Sequence, residues 1–130
     1  MDAVNKRQKM IEEFYHIFDQ WLTLYEEGVG VDSILIGYKY YNVAIYGMGT
    51  MAMHLIAALK ESQVSIKYII DKNSADFYTD VKVVSLEEVK EPVDVIICTC
   101  IDENYETIKQ LSERLNCSVV SLADIVFENL

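Results

Sequence analysis

Proline occurs once and glycine five times in 130 residues. The chain therefore has few of the residues that break helices and strands or build long irregular linkers. That excludes a proline- or glycine-rich low-complexity protein. Cysteine occurs three times, at Cys98, Cys100 and Cys117. So small and odd a set makes no disulfide framework, and a C-x-C pair without a nearby histidine is a poor zinc set. Small buried hydrophobes are the plainer reading of these thiols. Positive charge is also scarce: 11 Lys and Arg against 21 Asp and Glu give a net charge of −10 and a pI near 4.5. Nucleic acids and anionic membranes are bound largely through a basic face, so neither is an expected partner. The acid is spread out, with 4 basic and 7 acidic residues up to residue 40 and 7 and 14 after it.

Long apolar runs are missing too. The longest uncharged stretch, Tyr40 to Leu59, approaches the length of a membrane span. It contains Asn42, Gly47, Gly49 and His54 and reads as a strand, a glycine turn and a helix, so no transmembrane segment is expected. The opening MDAVNKRQKMIEEF lacks an apolar h-region and a small-residue cleavage site, and a reducing, cytoplasmic setting is the expectation. Hydrophobic residues make up 52% of the chain. That suffices for one ordinary core without metal or disulfide staples, and the length leaves no room for a cofactor domain plus a substrate domain.

Two regions are expected: residues 1–40 as a helical extension and residues 41–130 as an α/β domain. From about Val4 to Glu27 the periodicity predicts a long helix, roughly 36 Å at about 1.5 Å per residue. Val4, Arg7, Ile11, Phe14, Phe18, Trp21 and Tyr25 form its seam, flanked by Met10, Ile17 and Leu24 on one side and Tyr15 and Leu22 on the other. Such a stripe is wider than one surface helix needs. Gly28 and Gly30 supply the stop, and residues 31–41 read as a connector with room for one short helix.

Beyond it, strands and helices alternate. Strands are predicted at Val43–Tyr46, Ile66–Ile70, Val81–Val84, Val93–Thr99 and Ser118–Ser121. Helices are predicted after the glycine turn through Lys60, from Ser85 with Glu88 in capping-box position, from about Glu103 to Leu115, and from Ala123 to Glu128. This alternation with short connections predicts a single doubly wound, Rossmann-like parallel sheet of about five strands in the order 3-2-1-4-5.

Gly47-Met48-Gly49-Thr50-Met51-Ala52 matches G-x-G-x-x-G/A between a predicted strand and helix, and Asp71 closes the next strand 22 residues after Gly49. Gly47 suits the tight turn, Gly49 leaves the backbone open to a pyrophosphate, and Ala52 lets the helix approach the strand. Met48 and Thr50 are expected to contribute backbone N–H groups at the helix N-terminus. Asp71 is suited to ribose hydroxyls, and its charge would repel a 2′-phosphate, favouring NAD over NADP.

From Tyr41 onward the stretches VAIYGMGTMAMHLIAAL, YIIDKN, VKVVSLEEV, VDVIICTC and VVSLADIV resemble Rossmann-type NAD(P)-binding modules. More narrowly, the chain looks like small Rossmann-like units of bacterial nucleotide-sugar and surface-polysaccharide enzymes. It is also similar to the N-terminal module of sugar O-acyltransferases. The resemblance implies NAD or a nucleotide-sugar near Gly47, Gly49 and Asp71, and an accessory role in sugar or surface-polysaccharide metabolism. The acyltransferases continue into a hexapeptide-repeat β-helix that this sequence does not contain.

Other candidates read more plainly. Tyr105-x-x-x-Lys109 is similar to the Tyr/Lys pair of short-chain dehydrogenases, but it lacks the rest of that constellation and reads as a solvated helix face. Asp102 and Glu103 suit a helix cap, and Met48, Met51 and Met53 suit packing around the turn. His16 and His54 have no partner for a nucleophilic triad. No catalytic set can be assembled, so a stand-alone enzyme is not the leading expectation. The two readings carried forward are a nucleotide-binding module and a non-catalytic interaction protein that kept the fold. A homodimer, or docking on a partner enzyme, is expected through aromatic residues left uncovered on the N-terminal helix.

Overall fold

Apolar strands buried on both faces need helices above and below, and the chain supplies them in the order its pattern predicts. The computed structural model describes residues 3–72, 80–99, 105–128 and 130. Its elements are α1 (Ala3–Glu26), α2 (Val31–Gly37), β1 (Asn42–Tyr46), α3 (Thr50–Leu59), β2 (Ser65–Ile70), β3 (Val83–Val84), β4 (Val95–Cys98), α4 (Tyr105–Leu115), β5 (Ser118–Ser121) and α5 (Leu122–Val126). The strands form one sheet in the order β3-β2-β1-β4-β5, and every neighbouring pair is parallel. The doubly wound α/β architecture expected from the sequence is therefore the one observed.

Alternation along the central strands splits the core in two. Val43 and Ile45 of β1, with Ile69, Val95 and Ile97, face a layer built from α1, α2, α3 and α5. Ala44, Tyr68, Ile70 and Ile96 face the other way, onto Leu111 of α4 and Val84, Val89 and Val93. Asp94, just before β4, accepts the N–H groups of Tyr41 and Asn42 at 3.0 and 2.8 Å, which holds the start of β1 in register with β4.

The connector after α1 contains the short helix for which it had room, and that helix is central to packing. Val31 and Leu35 of α2 are buried in the same core as β1. The stop before it is a Schellman closure: Gly28, at φ +80°, donates to Tyr25 O at 3.0 Å and Val29 donates to Leu24 O at 2.8 Å.

Two local expectations need correction. The helix predicted from Ser85 is a single 3-10 turn, Leu86–Glu88. Glu88 does reach back, accepting from the Ser85 N–H and hydroxyl at 3.0 and 2.7 Å. Those bonds hold its carboxyl below the usual range. Val89 then takes an extended backbone, at φ −70° and ψ 119°, and is buried in the core, which ends the turn. The seam of α1 also differs. Ile17 and Leu24, predicted as flank, are its buried residues, while Phe14, Phe18 and Trp21 are half-buried beside them. Gln20 Nε2 ties this face to α5 by donating to Val126 O at 3.2 Å.

Candidate functional site

The glycine turn leaves the C-terminal end of β1 at the middle of the sheet. Gly47 extends the sheet ladder by one bond, its N–H donating to Ile70 O at 2.9 Å. Its φ of +97° then swings the chain out of the sheet, in a region that favours glycine.

Both neighbouring strands hold this turn. From the β2 side, Asp71 Oδ2 accepts the Met48 N–H at 2.9 Å. From the β4 side, the Thr99 hydroxyl reaches Gly47 O at 2.9 Å and Tyr46 O at 3.2 Å, and the Thr99 N–H donates to Tyr46 O at 3.1 Å. The Met48 N–H, expected to face a ligand, is thus bonded within the chain.

Gly49 is the N-cap of α3 and has no requirement of its own for glycine. Its backbone is extended, at φ −162° and ψ −163°. A Cβ added there would meet no atom of the described residues within 4 Å. Among the described residues no side chain caps α3, and its first intrahelical bond runs from Met53 N to Gly49 O at 3.0 Å. Thr50 is exposed, Met51 and Ala52 are buried, and Ala52 brings α3 against the sheet as its size suggests. The result is an uncapped helix N-terminus with clear space before it and the Asp71 carboxylate at its edge.

Beside the turn, where the strand order reverses between β1 and β4, lies a cavity of about 320 Å³. Ligands gather at such switch points in open α/β sheets. Cys98 and Thr99 at the end of β4 line it with Met51 of α3, Leu122 and Phe127 line it from the α5 side, and Glu13 and His16 of α1 stand at its rim. Sequence reasoning weighed His16 only as a member of a triad and passed over Glu13 and Thr99. Thr99 was the most findable, as a hydroxyl ending an apolar strand at the ligand-bearing edge of the sheet. The α1 pair carries no local signal, because its position depends on how that helix docks.

The remaining candidates lie elsewhere. His54 faces α1, edge-on to Phe18 with ring centroids 5.4 Å apart. Met48 is half-buried and Met53 exposed. Cys98 is buried, and burial pushes the thiol of half-buried Cys117 up, away from a reactive thiolate. Lys109 is an exposed residue of α4. Cys100, Asp102, Glu103 and the side chain of Tyr105 lie outside the described residues. Among the described residues no group of three or more His, Cys, Asp and Glu is arranged to hold a metal ion, and no helix is long and apolar enough to cross a membrane. Compared with known proteins, the chain matches no family model, no curated protein and no solved structure.

Proposed function

We propose that this chain is a nucleotide-binding module whose ligand is NAD or a nucleotide-sugar, bound through phosphate at the N-terminus of α3. The observation that carries this reading is Gly49. Neither backbone strain nor packing calls for glycine there, and its missing side chain keeps space clear before an uncapped helix end. Unpaired N–H groups and the helix dipole favour an anion in that space. Asp71, at the end of β2 and bonded to the turn, is the residue suited to the ribose end of the same ligand. The nucleotide-sugar alternative follows the resemblance noted above and carries with it an accessory role in sugar metabolism.

A thermal-shift panel of NAD, NADP, adenosine nucleotides, coenzyme A and UDP-sugars tests the reading. A ligand at about 100 times its Kd adds about 2.7 kcal/mol, several degrees for a domain of this size. NAD is expected to outperform NADP. No shift with any of them would overturn the proposal.

One observation favours the second reading, an interaction protein that kept the fold. Asp71 and Thr99 already bond the turn from both sides, so its conformation does not depend on a phosphate. In that case the panel is silent and the α1 surface carries the function.

A further inference from the structure

We propose that α1 is a homodimerisation helix that pairs antiparallel with α1 of a second copy. The inference does not depend on the nucleotide reading. Every residue from Ala3 to Glu12 is exposed. This first half of α1 is an exposed arm that buries no residue in the core of the described chain, and a helical segment of that length is marginal alone in water.

The arm belongs to a second apolar stripe, distinct from the Ile17–Leu24 line that faces the sheet. Val4, Ile11, Tyr15, Phe18, Leu22 and Tyr25 follow one another at intervals of 7, 4, 3, 4 and 3. Phe18 is half-buried, but Val4, Ile11, Tyr15, Leu22 and Tyr25 are between 55% and 75% exposed. Alternating steps of three and four make the seam by which one helix packs along another. Toward its C-terminal end the stripe borders an open groove of about 420 Å³, lined by Phe18, Trp21, Leu22 and Tyr25 of α1 and by His54 and Ala58 of α3.

Charge selects the occupant. The arm carries Lys6, Arg7 and Lys9 against Glu12, a net of +2, while the rest of the chain carries 8 basic and 20 acidic residues. Residues 13–27, the second half of the same helix and the turn that ends it, hold Glu13, Asp19, Glu26 and Glu27 and no Lys or Arg. A second copy laid antiparallel sets each basic, apolar arm over the acidic half and groove of its partner. Val4 then meets Tyr25 and Ile11 meets Phe18, and the macrodipoles oppose. A parallel pair would set arm against arm and acid against acid. The antiparallel contact is self-complementary, as a two-fold interface requires.

Light scattering on the full chain at about 100 µM reads the state, because assembly follows protomer concentration. The expected mass is twice the 14.9 kDa of one chain. Ile11→Glu, at a site exposed in the single chain, is expected to give a monomer that still unfolds cooperatively and loses helical circular dichroism from no more than the arm. Oxidative cross-linking reads orientation. A chain carrying both Arg7→Cys and Leu22→Cys is expected to form covalent dimers, while either substitution alone behaves as the unsubstituted chain does. A monomer at that concentration overturns the proposal. So does a dimer that survives Ile11→Glu, or one in which Arg7→Cys or Leu22→Cys cross-links to itself.

Discussion

The Asp71 carboxylate accepts the backbone N–H of Met48 at 2.9 Å, so the end of β2 is fastened to the turn that leaves β1. A hydrogen bond to a charged acceptor contributes about 1.5–3 kcal/mol, more than a neutral one. Asp71→Ala is therefore expected to destabilise the chain by about 1.5–2 kcal/mol, toward the low end because the site is half-buried. Asp71→Asn keeps an oxygen for Met48 and should cost less than half as much. Urea denaturation of both variants checks this, and equal losses would show that the bond does not hold the turn.

Thr99 fastens the same turn from β4 through its hydroxyl. Thr99→Val keeps the shape of the side chain but removes the donor, with an expected loss of about 1 kcal/mol. Thr99→Ser retains the donor and should cost less. If the two variants melt together, the bond to Gly47 O has no energetic role.

Leu35, fully buried on α2, is the test of whether the segment before β1 belongs to the core. Leu35→Ala is expected to cost about 2–5 kcal/mol, the range for a large core side chain cut to alanine. A loss under about 1 kcal/mol, typical of surface sites, would detach α2 from the core.

Tyr68 gives the chain a pH signature. Burial, with the charges of Cys117 and Glu91 adding to it, pushes its phenol up to about 12, and its hydroxyl donates to Glu91 O at 2.7 Å. In the folded chain Tyr68 keeps its proton where an unfolded tyrosine has lost it. The associated stability is full below pH ~10 and falls as pH rises from ~10 to ~12. Absorbance of the phenolates should show a late step belonging to Tyr68. Tyr68→Phe should abolish that late step.

The strand order was legible because the strands of this sheet are apolar on both faces and separated by short connections. Val95 to Cys98 is buried at every position, and the run predicted there contains one charge, Asp94, at its edge. Packing decided what the sequence left open. On α1 the apolar residues are too numerous for one face, and the line of Ile17 and Leu24 is the buried one because α1 docks on α5 with that side turned to the core. In α2, VDSILIG is too short for a periodicity to declare itself, yet three of its seven residues are buried. The glycines and Asp71 could be named from their spacing. Their mutual fastening could not, since the bonds among Met48, Asp71, Gly47 and Thr99 join the ends of three different strands.

Calorimetric titration of NAD and a UDP-sugar into the chain and into Gly49→Ser tests the nucleotide reading most directly. Serine at an N-cap is at least as favourable as glycine, and the site has room for its Cβ. The variant is therefore expected to melt no lower than the original. Its side chain would fill the space claimed for phosphate and cap the N–H groups claimed to bind it. The account predicts saturable one-to-one binding of at least one ligand, weakened tenfold or more, about 1.4 kcal/mol, in Gly49→Ser. No binding to the original chain, or equal affinity in both, would contradict it.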